Sequence, residues 1–327
     1  MTATQNLGGQ TTGLPSRATQ KAGSSNSAGP VSRSGRRKRD SQAKAAWLFL
    51  TPFIVIFVLL TLVPVIIAVV MSMTDMRATD LRNPFNVDFV GFENFANILT
   101  NQEFLRSVLN TGLFVILCVP LSMGIGLALA LILNKGIQRL RTLFRAAIYL
   151  PVITNIVAAA VIWQYAFTPT GPANAALGAF GIKGPNWLGD PGWAFALVVV
   201  LGVWRTIGTC MVLYLAGLQA VPAEVYEAAS MDGASRSRQL FSVTLPLLRP
   251  TTLLVSVLMT VSFLNIFEEP FLLTNGGPLG ATRSIAVWVY EQFGFGNTAV
   301  SMAGSFLLLV LIGIVALIQF RVLRPKH

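Results

Sequence analysis

Two polar islands stand out in an otherwise apolar chain. The first is Glu227-Ala-Ala-Ser-Met-Asp-Gly233, running on to Val243-Thr-Leu-Pro246. Glu227 and Asp232 can accept charge-assisted hydrogen bonds from a basic surface. Ala228 and Ala229 are small enough to seat in a cleft, and Gly233 can take the left-handed conformation that ends a helix. Pro222 suits the first turn of that helix, where its missing N–H is not needed. Ser235 to Leu245 then read as a second helix, until Pro246 and Pro250 disturb its ladder. A helix, a glycine break and a second helix make an element for docking. The second island is Arg205, twelve residues into an apolar run between Trp204 and Thr206, with Glu268 and Glu269 at the end of a later run. A charge at the centre of a bilayer costs about 2.5–3.5 kcal/mol on insertion scales. Arg205 therefore either lines a cavity and bonds a polar solute, or pairs structurally with Glu268 or Glu269. Both readings stand.

Little else in the chain carries chemistry. The only histidine is His327, and Cys118 and Cys210 lie inside apolar runs with neither a disulfide framework nor metal-ligand spacing. No Gly-x-x-x-x-Gly-Lys-Ser/Thr phosphate cradle is present. No nucleophile–base pair or cluster of carboxylates with catalytic spacing occupies a soluble segment. The chain is expected to be no enzyme, with no metal or cofactor of its own.

The elements that position these islands follow from hydropathy. Of 327 residues, 54% are hydrophobic and only 11% charged, against about 25% charged in a soluble domain. With a mean hydropathy of +0.65, the chain belongs in a membrane. The net charge of +11 is concentrated rather than spread. Residues 1–44 are rich in Gly, Ser, Thr and Ala and end in Arg36-Arg-Lys-Arg39, which reads as a disordered basic tail. Nucleic acid is set aside as its partner in favour of membrane lipid.

A span needs about 20 apolar residues, and six stretches qualify: Trp47–Met73, Ser107–Leu133, Leu143–Phe167, Trp193–Leu218, Thr251–Phe267 and Val300–Val322. Placing both termini in the cytoplasm puts 18 of the 24 Lys/Arg inside, as the positive-inside rule requires. The expected fold is all-α and polytopic, with a tail at 1–44, a six-span domain at 45–323, a cytoplasmic loop at 219–250 and a C-terminal tail at 324–327. Pro52, Pro64, Pro120 and Pro151 fall within or beside spans, where neighbouring helices satisfy the freed carbonyls. Gly124, Gly126, Ala303 and Gly304 let helices approach closely.

Glu-Ala-Ala, three residues, Gly, nine residues, a β-branched residue, one more and then Leu-Pro resembles the cytoplasmic loop signature of permease subunits of binding-protein-dependent ABC importers. It is carried here by Glu227, Ala228, Ala229, Gly233, Val243, Leu245 and Pro246. Leu150-Pro-Val-Ile153, Trp163-Gln-Tyr-Ala-Phe167, Ala216-Gly-Leu-Gln219 and Thr274-Asn-Gly-Gly-Pro278 are similar to the carbohydrate-uptake, maltose-type branch. The likeness covers roughly residues 45 to 323.

The resemblance implies an ABC importer permease fold in the bacterial inner membrane. Its ATPase-coupling loop would comprise Glu227, Ala228, Ala229, Asp232, Gly233, Leu245 and Pro246. The implied partners are a second permease subunit, two ATPase subunits that bind the ATP and Mg, and an extracytoplasmic solute-binding protein. Sugar contacts carried over by position fall near Gly202, Thr206 and Thr209, which share one helical face, and near Phe263, Asn265 and Ile266. With Trp204, Arg205, Glu268 and Glu269 these form the expected substrate pathway for a mono- or oligosaccharide or sugar derivative. Two alternatives are an ABC permease for a non-sugar solute and an ion-gradient-driven secondary transporter. The latter is marked by inverted repeats and paired midplane carboxylates, which the chain does not display.

Overall fold

The computed structural model describes residues 47–82, 87–135 and 140–323. The basic tail, residues 324–327 and Arg139 lie outside them. The chain divides into two compact units, one ending at Leu60 and the other beginning at Thr61. Among the described residues the first contributes helix 47–60, apolar and almost wholly exposed. Among its described residues the second is built of helices and their connections, with one isolated bridge between Thr74 and Phe89.

Among the described residues four helices are long and apolar enough to cross a membrane: α1 (Trp47–Met71), α3 (Gln102–Asn134), α7 (Pro191–Gln219) and α13 (Thr298–Val322). The short helix α2 (Glu93–Thr100) precedes α3. Two further candidates are bent pairs. Helices α4 (Arg141–Ile153) and α5 (Ile156–Ala166) meet at 92°, and α9 (Arg236–Leu247) and α10 (Arg249–Leu264) at 66°. The spans total up to six if each pair counts as one. Between them lie α6 (Pro172–Ala179), α8 (Ala223–Met231), α11 (Glu268–Thr274) and α12 (Ile285–Gly294).

The stretch read as one span from Leu143 to Phe167 is therefore broken. The cause is local. Thr154 and Asn155 are both extended, and the Asn155 side chain accepts from the N–H groups of Val157 and Ala158 at 2.8 and 3.3 Å, capping a new helix. Thr154 Oγ1 donates to the carbonyl of Leu150 at 2.8 Å, satisfying the helix that ends. The second bent pair lies where Pro246 and Pro250 are expected to disturb the ladder. Pro246 does not stop its helix, because a wider π turn over Leu240–Thr244 precedes it, and the bend falls at Leu248, between Pro246 and Pro250.

The core forms where α3 runs along α7. Phe114 stacks on Phe195 with ring centroids 4.5 Å apart, and Cys118, Leu201, Cys210, Met211 and Tyr214 are buried in the same core cluster. Lipid supplies no hydrophobic force between helices, so close packing does this work. A Cβ on Gly126 would collide with that of Cys210 and stand 3.0 Å from the Met211 nitrogen. Gly124, expected to be a packing glycine like Gly126, is not one: nothing lies within 4 Å of its Cβ position. A second cluster joins Phe95, Ile98, Phe104, Ile285, Trp288 and Ala303. There Gly304 admits the Trp288 ring, which would stand 2.9 Å from a Cβ.

These contacts order the glycines. Gly126→Val should destabilise the purified chain by about 1–3 kcal/mol, as overpacking does, whereas Gly124→Ala should leave it unchanged. Thermal unfolding in detergent, followed by tryptophan fluorescence, measures both; equal transitions would show that the α3–α7 contact yields to a side chain.

Candidate functional sites

The 219–250 loop is a preformed elbow. Helix α8 starts after Pro222, which takes the cap position one residue earlier than its first turn. It ends in a Schellman turn: Gly233 has φ +71°, its N–H donates to Ser230 O at 3.1 Å, and that of Ala234 donates to Ala229 O at 3.0 Å. Nothing lies within 4 Å of a Cβ on Gly233, so its backbone angle, not space, demands glycine. Ser235 Oγ then accepts from the Arg238 N–H, starting α9.

Two side chains fold the elbow back on itself. The Gln239 amide donates to Ser230 Oγ at 3.0 Å and to Ala234 O at 3.1 Å. The Tyr226 and Thr244 hydroxyls lie 3.2 Å apart. A cleft of about 500 Å³ beneath α8 is lined by Leu131, Leu218, Tyr226, Gln239 and Thr244 among others.

Glu227, Ala228, Asp232 and Gly233 are exposed, while Ala229, Leu245 and Pro246 are half-buried. Sequence reasoning passes over Met231, which is 89% exposed. Glu224, Glu227, Ala228 and Met231 recur at helical spacing, so an acidic and apolar ridge faces outward. Met231 lies four residues from Glu227, and that spacing is the available signal.

The second site surrounds Arg205. One guanidinium nitrogen, Nη1, donates to Glu268 Oε2 at 2.9 Å and to Glu269 Oε1 at 2.8 Å. The pairing that the sequence leaves open is thus formed, with both acids. They lie in the first turn of α11, where the helix dipole favours negative charge. Glu269 is buried and Glu268 half exposed. Helix α11 is held in place by the Gln164 amide of α5, which donates to Leu272 O and Leu273 O at 2.8 and 3.2 Å.

Arg205 also lines a cavity of about 370 Å³, together with Thr206, Phe263, Asn265, Ile266, Glu268 and Glu269. The other expected residues fall elsewhere. Gly202 packs on Phe263, whose ring would stand 3.1 Å from a Cβ there. Trp204 meets Trp163 at 5.9 Å, in a string of rings that continues to Phe167, Trp187 and Trp193. Thr209 is half-buried outside the cavity lining. The Thr206 hydroxyl is already engaged, 2.8 Å from Ser122 Oγ and 2.9 Å from Gly202 O. Asn265 also lines a neighbouring cavity of about 520 Å³, which includes Phe267, Tyr290, Ser301 and Ser305. Phe267, Phe271 and Tyr290 form a mutual ring cluster at 5.0–5.3 Å.

Beyond α11 the Thr274–Pro278 turn is strapped down. Asn275 and Gly276 have φ of 50° and 75°, and the Thr274 and Thr282 hydroxyls lie 2.6 Å apart. Asn110 donates to Gly280 O and Arg283 O. Arg283 Nη1 is 3.3 Å from Glu103, and its Nε is 3.0 Å from Glu291 at an angle short of a hydrogen bond. Burial pushes the Glu291 carboxyl above its usual range, and Arg283 pulls it back.

Long apolar helices, with an exposed elbow and a charged cavity beside a broken span, are those of a multi-pass membrane protein. The chain belongs to the family of binding-protein-dependent transport system inner membrane components, whose model matches residues 95–326. It is a multi-pass translocation subunit and not an enzyme. It is 34% identical over 272 residues to a trehalose/maltose transport system permease protein of Thermococcus litoralis, covering 83% of this chain and 90% of that one. It is 30% identical to a lactose transport system permease protein of Rhizobium radiobacter, over 86% of this chain and 94% of that one. The crystal structure of a bacterial alginate ABC transporter, in complex with an alginate pentasaccharide-bound periplasmic protein, contains a chain of the same fold. That chain superposes with a TM-score of 0.75 at 22% identity, over 88% of this chain and 96% of its own.

Removing one partner of a buried ion pair costs about 3–5 kcal/mol, mostly through the charge left behind. Arg205→Ala, which strands Glu269 beside Glu268, should therefore lower the unfolding temperature more than Arg205→Ala combined with Glu269→Gln. A double-mutant cycle by thermal unfolding reads the difference; additive losses would mean that the pair stabilises nothing.

Proposed function

We propose that the chain is one of two non-identical permease subunits of an ATP-driven importer for a mono- or oligosaccharide or sugar derivative. Its motor is a pair of separate ATPase subunits, which bind the ATP and Mg, and its solute arrives on an extracytoplasmic binding protein. The observation that carries this reading is the elbow. Its ridge of Glu224, Glu227, Ala228 and Met231 is exposed on a helix that Gly233, Gln239 and Tyr226 hold in one shape. A prefolded ridge suits insertion into a cleft, because little ordering entropy is lost on docking.

The names of the relatives support the solute class, since they denote carriers of trehalose, maltose and lactose. The cavity chemistry agrees with it: hydroxyl, amide and charged groups stand beside aromatic rings, as a sugar's polar edge and apolar faces require. Within this reading Arg205, Thr206, Asn265 and Glu268 line the solute path, while Gly202 and Phe263 shape its wall. The Lys/Arg asymmetry supports both termini in the cytoplasm, and the apolar stretches support six spans in a bacterial inner membrane. Ion-gradient drive is disfavoured because Arg205 engages both carboxylates that a coupling ion would need.

The test reconstitutes the complete importer in vesicles with its binding protein. Gly233→Asp places a side chain at a left-handed angle on the gripped surface. It should leave assembly intact while solute-stimulated ATP hydrolysis and uptake fall on the order of tenfold or more, equivalent to about 1.4 kcal/mol. Normal uptake, or ATP hydrolysis by the isolated chain, overturns the reading.

A further inference from the structure

A cluster that plays no part in either site lies where α3, α4 and α7 end together. Arg141 and Arg145 stand one turn apart on α4, and both reach the same residue at the end of α7. With the Gln219 amide turned so that its oxygen faces them, Nη2 of Arg141 and Nη2 of Arg145 donate to that oxygen at 3.0 and 3.1 Å. Arg141 also reaches Asn134 Oδ1, at 3.5 Å.

Three features make this gathering electrostatically incomplete. Like charges four residues apart on a helix repel. They stand in the first two turns of α4, the positive end of its dipole. That end has no side-chain cap at Leu140 and no acidic residue in its first turn. Among the described residues the ion pairs are made by Arg205 and Arg283, and neither Arg141 nor Arg145 takes part. The adjoining segment Gly136-Ile-Gln-Arg139 contains no acid. The carbonyl end of α7 and the Gln219 amide offer partial charges only. The Nε atoms of both arginines are buried without a hydrogen-bond partner.

The surroundings identify what completes it. Leu140, Leu143 and Phe144 beside the arginines are 52%, 64% and 41% exposed, and the exposed apolar face continues down α4 through Leu150 and Ile153. Two guanidinium groups thus border an exposed apolar face of α4. A free anion has no use for that surface; a phosphodiester attached to two acyl chains fits both parts. We infer that Arg141, Arg145 and Gln219 form a headgroup site for the phosphate of an anionic phospholipid. The lipid lies along α4, and its phosphate accepts from both guanidinium groups. The site supports the junction from which the 219–250 elbow departs, since Gln219 ends α7.

The test uses the full chain in nanodiscs of phosphatidylcholine with a minor fraction of phosphatidylglycerol, and counts retained phosphatidylglycerol by native mass spectrometry. Arg141→Gln and Arg145→Gln should each lower retention roughly fivefold. The paired Lys variants should keep most of it, and Arg77→Gln, an exposed cation elsewhere, should change nothing. The Lys pair keeps the comparison usable if the Gln pair folds poorly. Equal retention in the Gln pair and the parent overturns the site. Saturable binding of inorganic phosphate, without preference for phosphatidylglycerol over phosphatidylcholine, assigns the cluster to a soluble anion and overturns the lipid. Loss of a co-purifying subunit with unchanged lipid retention assigns it to a protein partner and likewise overturns the lipid.

Discussion

A helix that breaks inside a bilayer has no water to receive its orphaned N–H and C=O groups, and each such group costs several kcal/mol. This chain breaks its helices repeatedly, and both candidate sites lie at the breaks. At several of them a side chain replaces the missing water. Asn155 caps α5, Ser284 caps α12 while donating to Ile266 O, and Gln164 bonds two carbonyls at the end of α11. Thr244 Oγ1 reaches Gln239 O across the π turn that lets Pro246 pass. The polar residues of the apolar segments are therefore mostly committed to backbone, and the few left over are informative.

Arg205 is the largest of these. Its charge in mid-helix is tolerable only with a counter-charge, and α11 brings two carboxylates to one nitrogen. The geometry is asymmetric: Glu269 is buried and pairs fully, while Glu268 remains half in the cavity. One cation and two acids leave a net negative wall, with its exposed member on the cavity side. Under the importer reading, neutral solutes would gain hydrogen-bond partners there, and with both acids ionised anionic ones would meet repulsion that low dielectric strengthens.

Some of this is legible in the chain and some is not, for physical reasons. Gly233 can be read because good helix formers precede it and only glycine ends such a helix cheaply in the left-handed region. Arg205 can be read because bilayer energetics single out any mid-span charge. The division at Asn155 is hidden, since an apolar run looks the same whether straight or bent, and its signal is a single asparagine. Gly124 and Gly126 cannot be told apart, because the difference is which one faces Cys210. Trp204 and Thr209 share a helix with Arg205, but which turn opens on a cavity depends on the position of α10 and α11. Long-range bonds such as Gln164 to Leu272 belong to the assembled bundle and leave no local trace.

The elbow and the Arg205 cavity are linked by the two helices that connect them. Helix α7 runs from Arg205 to Gln219, and α10 runs from the bend at Leu248 to Asn265, so each carries one end of both sites. Arg205 and Gln219 are fourteen residues apart, about 21 Å along the axis. Near both ends a side chain of α10 or of the bend before it meets bare glycine backbone of α7. A Cβ on Gly217 would stand 2.5 Å from Thr251 Oγ1 at the elbow, and one on Gly202 would stand 3.1 Å from the Phe263 ring at the cavity. Two rods in contact near each end resist shear, so under the importer reading a push on the elbow would displace them together. That displacement bears on Arg205, whose pairing partners sit on α11, anchored from α5 by Gln164. The ion pair thus bridges the body that carries the elbow and a helix held from elsewhere. Under the importer reading, a force applied at Glu227 and Met231 is felt first, inside the membrane, by the residues that would hold the solute.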